Sequence, residues 1–463
     1  MDIVRLVEEK VLQTAEIFLS AIEGGIDYST LEKQLKKELD ALGCSLLQEV
    51  LTAMDEKIYQ EKDRKKQWKV IRKKDKKTML TPFGELVYHR NYYQNKQTKE
   101  YAYLVDKKAG ITPHMRVGPT LKGELIETAA QVSYQKATCQ VSRFNNDLKV
   151  SKQTVAASIK EFKAKEPEQS KEKRKVKAIY IEADEDHLTI RGKRGAQARL
   201  IYIHEGYGGK KRRYLKNVRH FTTVTKSSEE FWLEVCDYIA EHYDPDSIKE
   251  IYLSGDGGKW IRVGQYYVPG STFILDKFHL SQRLLTATAH APTLRKKIYK
   301  NIRAVNKKGT LESLKEALSM AEEEPRQERI QETISYIMNN WDGIEAAVRH
   351  PHVGCSAESH VSHILAARMS SRPMAWSVEG AEKMASIRAV LANGESASEH
   401  YLASHGKQTA LITELKEDAK QAIKVLKTKK CLGKENIGNV PVFQGISNFS
   451  RKALKGLNCR TLA

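Results

Sequence analysis

At residue 176 the periodicity of this chain changes. Before it, apolar residues recur at helical intervals. After a charged stretch that holds Pro167, "KAKEPEQSKEKRK" (163–175), they gather into short β-branched runs. The runs follow as "AIYIEAD", a short strand near "HLTIRG", "ARLIYIHEGY" and "RYLKNVRHFTTV", then a helix in "SSEEFWLEVCDYIAEHY". A strand "IKEIYLSGD", the connection "GGKWIRVG", a strand "STFILD" and a helix from "KFHLSQRLL" complete the series. Consecutive strands followed by strands alternating with helices predict a sheet with helices packed on it.

The 463 residues exceed one ordinary core, so several units are expected. Hydrophobic content of 40% supports real cores, and no apolar run approaches the ~20 residues of a membrane span. The amino-terminal "MDIVRLVEEKVLQTAEIFL" mixes acids into its apolar residues, so a cytoplasmic, membrane-free protein is expected. Six cysteines (Cys44, Cys139, Cys236, Cys355, Cys431 and Cys459) stand singly without any CxxC, which argues against structural zinc and a disulfide framework. The formal charge of +20 points instead to a polyanion, and for a soluble chain that is nucleic acid.

The region 1–75 reads as helical and basic. Val4, Val7, Val11 and Leu12, then Leu31, Leu35, Leu39 and Leu42, mark helices, and "EKDRKKQWKVIRKKDKKTM" follows as a solvated extended run or a phosphate-contacting arm. Region 76–118 reads as a small β region whose "FGELVYHRNYYQN" carries Tyr88, Tyr92 and Tyr93, used in packing a small sheet or in stacking on bases. Region 119–165 predicts three helices, as in a helix-turn-helix-like DNA-binding unit. Ser151 caps the last one, Val155, Ile159 and Phe162 share a face, and Lys152, Gln153 and Lys160 are left to face DNA.

Carboxylates stand out in the strand region. Asp184 follows "AIYIEA" with Glu182, Glu185 and Asp186 around it, Asp256 follows "IYLSG", and Glu358 opens the helix "SAESHVSHILAARM". One such acid is ordinarily a turn former or a cap. Three at one sheet edge and on a packed helix suit Mg²⁺ or Mn²⁺, and such ions assist phosphodiester displacement. A cation also reconciles an acid cluster with a polyanionic partner. Asp186 is the alternative to Asp184, since the two share a strand face. In "LDKFHL", Asp276 and His279 are either a cap or substrate-positioning groups. Arg368 and Arg372 are candidates for holding DNA phosphates or a carboxylate. His352, His360 and His363 with Cys355 lack zinc-site spacing, and "GDGGKW" and "EGYGGKK" lack the P-loop pattern.

The order of elements, with acids on the first strand, after the fourth and on a late helix, is that of a ribonuclease-H-like core. "IEADEDH", "GDGGKWI", "LDKFHL" and "CSAESHVSHILAARMSSRPMAWS" resemble the ISLre-type family of bacterial insertion-sequence DDE transposases, and more distantly Mutator-like transposases. The resemblance covers nearly the whole chain. It implies an α+β multidomain protein: helical N-terminal and helix-turn-helix-like DNA-binding regions, then a ribonuclease-H-like αβ catalytic core interrupted by a helical insertion. The core takes residues 176–289 and 351–400, the insertion 290–350, and a helical, basic tail 401–463. The resemblance further implies Asp184, Asp256 and Glu358 as catalytic, metal-binding acids with Mg²⁺ or Mn²⁺, acting on double-stranded DNA at element terminal repeats and target sites. A bacterial, nucleoid-associated homo-oligomer is then expected, because two DNA ends are joined. A metal-dependent nuclease without strand transfer and a non-catalytic DNA-binding regulator are the rival readings.

Overall fold

The computed structural model describes residues 12, 15–19, 21–144, 149–165, 172–209 and 214–405. The rest of the expected tail, residues 406–463, lies outside the described residues, as do residues 145–148 between the second and third expected helices of the 119–165 region. The chain is a mixed α+β, multidomain protein. Its described part divides into a larger unit, residues up to 52, 76–89 and 115–405, and a smaller one, 53–75 and 90–114. Among the described residues no helix is long and apolar enough to cross a membrane.

Near the amino terminus a 33-residue helix, Tyr28–Gln60, is followed by the short helix Lys62–Gln67 and a three-stranded sheet. The strands are β1 (Trp68–Thr81), β2 (Gly84–Asn95) and β3 (Tyr101–Tyr103). Most of the basic run is β1, an extended strand that leaves Lys69, Arg72, Lys73, Lys74 and Lys76 exposed, as the solvated extended reading expects, while Val70, Lys77, Met79 and Thr81 turn towards cover. In the smaller unit Asp55 accepts from both the backbone and the side-chain amide of Asn91 (3.1 and 2.7 Å). There Tyr93 is fully buried and Tyr92 stacks between Tyr101 and the Arg72 guanidinium, so these rings serve packing. In the larger unit Tyr88 is buried completely.

The larger unit is built on a five-stranded sheet: β4 (Ala178–Ile190), β5 (Lys193–His204), β8 (Arg219–Thr223), β9 (Glu250–Gly255) and β10 (Ser271–Leu275). A small hairpin of β6 (Tyr207–Gly208) and β7 (Tyr214–Leu215) lies between β5 and β8 in sequence. The spatial order is β10-β9-β4-β5-β8. β5 is antiparallel to both neighbours, and β9 is parallel to β4 and to β10. Helices cover both faces. Odd residues of β4 (Ile179, Ile181, Ala183) pack with Phe231 and Trp232 of the helix Ser228–His242 and with Trp260 and Trp341. Even residues Leu188 and Ile190 join Leu200, Tyr202 and the helices Ala357–Val361 and Val378–Ala392. The helix Ser228–His242 starts with a capping box, in which Ser227 and Glu230 satisfy each other's backbone N–H.

One expectation is corrected here. "AIYIEAD" and "HLTIRG" are not two strands, and Asp184 does not end one. β4 is a single 13-residue strand whose pairing with β5 runs through Asp184↔Leu200, Glu185↔Arg199 and Asp186↔Ala198. Acids are poor strand formers, but the backbone ladder to β5 overrides that local preference. Between residues 290 and 350 come four helices, Pro292–Arg303, Lys307–Ser319, Glu324–Asn339 and Trp341–Arg349, which bury Ile298, Leu314, Ile330 and Ile337.

Candidate metal centre

Side chains on a strand alternate between faces, so Glu182, Asp184 and Asp186 form one acidic stripe on β4. Their fates differ. Glu182 is 1% exposed and fully engaged: Tyr202 Oη and the backbone N–H of Ser356 donate to one oxygen, and His204 Nε2 lies 3.0 Å from the other. The N–H of Gly206 donates to His204 Nδ1 (3.1 Å), which leaves the ring proton on Nε2, aimed at Glu182. Burial pushes the Glu182 carboxyl up, yet hydrogen bonds from His204, Tyr202 and Ser356 outweigh it and hold it below the ordinary value. Ser356 precedes the helix Ala357–Val361, in whose first turn Glu358 stands. Glu182 thus pins the segment two residues before Glu358 to the strand position two residues before Asp184.

Asp184 is 5% exposed and poorly satisfied. One carboxylate oxygen accepts from the N–H of Glu185 (2.9 Å), and the other is buried with no hydrogen-bond partner. Burial, reinforced by the charges of Asp256 and Glu358, pushes its pKa up to about 7. Asp186 also leaves one buried oxygen unpartnered, and burial raises its pKa. Glu185 faces the other side, where it accepts from Gln197 and from Trp260 Nε1.

Asp256 leaves the end of β9. The ladder between β4 and β9 ends at Glu182 and Ser254; Asp256 follows two residues on, near enough for its charge to act on Asp184. One Asp256 oxygen accepts from the N–H of Gly258 (2.8 Å), and its carbonyl accepts from Tyr336 Oη (2.6 Å). Gly257 makes this turn with φ +89°, and a Cβ there would lie 2.5 Å from Asn340 Oδ1.

Asp276 follows β10 and caps the helix Lys277–Ala287 by accepting from the N–H of Phe278 (3.0 Å). Its second oxygen holds His279 Nδ1 at 2.7 Å, and His279 Nε2 lies 3.9 Å from Glu358 Oε2. Asp276 is thus the cap of its helix and also orients the His279 ring. Asp184, His279 and Glu358 each bring one potential ligand atom within 4.8 Å of the others. His279 joins this cluster rather than standing outside it, whereas Asp256 contributes no atom to that tightest set. The hydrogen bond to Asp276 pushes the His279 pKa up to about 8 against burial, helped by the charges of Asp184, Asp276 and Asp256.

The expected DNA-contacting residues are dispersed. Helices Pro119–Ala129, Tyr134–Phe144 and Lys152–Glu161 lie in the larger unit, and Ser151 caps the third. Val155, Ile159 and Phe162 are buried, leaving Lys152 and Gln153 exposed. Lys160 reaches Glu379 at 2.7 Å, with both side chains about half exposed. Arg372 is exposed, but Arg368 is not a phosphate contact. It is buried, donates to the Ala129 carbonyl (2.8 Å) and stacks on Tyr134 and Trp376. His360 bonds His220 (3.0 Å) and His352 packs on Tyr252, so neither joins the ligand cluster.

The model of the Uncharacterised protein family UPF0236 matches residues 21–404. The chain belongs to that family. Two UPF0236 proteins of Caldanaerobacter subterraneus subsp. tengcongensis are similar to it throughout. One is 36% identical over 434 residues, covering 93% of this chain and 92% of the relative. The other is 36% identical over 447 residues and 94% of each, and its name joins eleven designations. A third UPF0236 protein of that organism, also 36% identical, has a name joining four. The UPF0236 match spans β4, β9, β10 and the helix of Glu358, so every element of the acidic centre lies inside the family region.

Proposed function

We propose that this UPF0236 chain is a DNA transposase that hydrolyses phosphodiesters at the ends of its own element and transfers the freed strands to target DNA. The observation that carries this reading is the convergence of Asp184 and Glu358 with His279, and Asp256 beside Asp184, on a sheet of order β10-β9-β4-β5-β8. Numbered along the core, that order is 5-4-1-2-3, with the first three strands antiparallel and the last two parallel to the first. This supports a ribonuclease-H-like core, and the helical block 290–350 takes the place of the insertion before the last acid. A name joining eleven designations in one organism is what a sequence present in many copies gives, and transposition produces such copies.

The side chains fit a hard divalent cation. Asp184 has a buried oxygen without a partner, Glu358 is exposed beside it, and an imidazole nitrogen completes a set that suits Mn²⁺ as well as Mg²⁺. When bound, the ion supplies positive charge to the phosphodiester and makes water acidic enough to attack it. The protein's own groups do the rest. Asp276 accepts the Nδ1 proton of His279 and fixes the ring, so that in the neutral imidazole the Nε2 lone pair faces the space between Asp184 and Glu358. Glu182 fixes Ser356 and hence the first turn of the Glu358 helix. The 3′-hydroxyl freed by hydrolysis then attacks a target phosphodiester in line, forming the new ester as the target's own 3′-oxygen leaves, with no protein nucleophile.

The test uses the DNA flanking the coding sequence, with terminal inverted repeats as the first thing to look for there. Purified chain with Mn²⁺ is expected to nick those ends and join them to a second duplex. Asp184→Asn, Asp256→Asn and Glu358→Gln are each expected to abolish both steps while retaining end binding. Full cleavage by Asp256→Asn defeats the assignment, and cleavage without joining leaves a nuclease.

A further inference from the structure

The tip that joins β4 to β5 carries three cations in four residues: Arg191, Lys193 and Arg194. All three are exposed, and among the described residues none has an acidic partner. Their positions are set by backbone. Gly192 turns the chain with φ +73°, and Ile190 pairs with Lys193. The register then shifts, because Leu188 pairs with Ala196, leaving Arg194 and Gly195 (φ +65°) opposite the single residue Thr189. The tip is also fastened from outside the hairpin. Trp376 N–H donates to the Thr189 carbonyl and Arg191 N–H to the Trp376 carbonyl, each at 3.0 Å, with the Trp376 ring buried and bonded to the Met369 carbonyl.

Three like charges on a fixed turn repel one another and contribute nothing to the turn, so their placement calls for an external anion. They lie just beyond the end of the strand that carries Asp184. Six residues separate Asp184 from Ile190, which at strand rise is about 20 Å. Along duplex DNA, with ~3.4 Å between phosphates of one strand, the same span is about six base pairs. We propose that the Arg191–Arg194 tip is a clamp for the duplex backbone, holding phosphates about half a helical turn from the phosphodiester at the Asp184 centre. This rests on the transposase reading and adds to it a contact surface that base sequence does not specify.

The test is the salt dependence of duplex binding by the full chain, using one fixed duplex between about 50 and 200 mM KCl. Arg191→Gln, Lys193→Gln and Arg194→Gln together are expected to make the slope of log affinity against log salt shallower by about 2–3, at ~0.9 for each phosphate no longer neutralised. A control variant carries Lys307→Gln, Lys308→Gln and Lys315→Gln, exposed on the helical block, and removes the same charge. Its slope is expected to stay within about 0.5 of wild type. An unchanged Mn²⁺ affinity and melting temperature in the tip variant show that the fold and the acidic centre are intact. An unchanged slope in a tip variant whose parent binds duplex overturns the clamp alone, as do equal shifts in both variants. A wild-type chain that binds no duplex overturns the transposase reading and the clamp with it.

Discussion

Asp184 sits where a carboxylate is least stable: mid-strand, buried, with one oxygen unpartnered and other acids beside it. Its folded pKa of about 7 lies above the ordinary 3.8, so the folded state holds its proton more tightly than the unfolded chain. The stability tied to that proton is present below about 4 and is lost as pH rises through 7. Asp184→Asn should therefore stabilise the cation-free protein by ~2–4 kcal/mol at pH 8 and by little at pH 4, as urea unfolding at the two pH values would show. By the same argument Mn²⁺ should raise the melting temperature more at pH 8 than at pH 5, an increment that Asp184→Asn removes. Glu182 plays a different part, touching neither ligand position but holding Ser356. Glu182→Gln is expected to weaken Mn²⁺ binding about 10–100-fold, read by calorimetry, because a carboxylate acceptor is removed behind the site. Unchanged Mn²⁺ affinity in that variant would show that Glu358 is placed without it.

The elements are legible in the sequence to different depths. Alternation in "AIYIEADEDHLTI" identifies a strand and its acidic face, and helical spacing identifies the buried Val155, Ile159 and Phe162. Local strand preference, which is poor for acids, suggests a break after Asp184, whereas pairing with β5 decides the matter. The place of His279 in the cluster, and the links from Glu182 to Tyr202, His204 and Ser356, join residues from separate elements, and no local pattern encodes that. Arg368 misleads for a related reason: its charge suggests a phosphate, while its surroundings make it a terminator of the helix Pro119–Ala129. Arg368→Met is expected to lower stability by ~1–3 kcal/mol in urea unfolding, by leaving a buried carbonyl without its donor, and to leave the salt dependence of DNA binding unchanged. On β8, His220 bonds Asn393 and His360, and burial with the charges of His360 and Arg219 holds its pKa down to about 4. Stability from that neutral ring is full above about 6.5 and is lost as pH falls towards 4, by ~3 kcal/mol. His220→Gln should flatten that part of the profile.

For the molecule as a whole, a sequence with a net charge of +20 contains a centre made of acids. The two belong together if the protein must hold one polyanion while placing a cation against it. On the proposed transposase reading, joining two ends calls for more than one protomer, so an equal mixture of wild type and Asp256→Asn should give well under half the wild-type joined product. Proportional loss would show that each protomer works alone. The continuity of β4 also governs how this family can vary in length. Its side chains change face at every residue, so one residue inserted or removed between Ile179 and Asp186 would carry Asp184 to the side occupied by Trp232 and Trp260, and bring Ala183 or Glu185 to the centre. Gaps among relatives should accordingly collect in the helical block after β10 and at the β6–β7 hairpin, and never interrupt that strand.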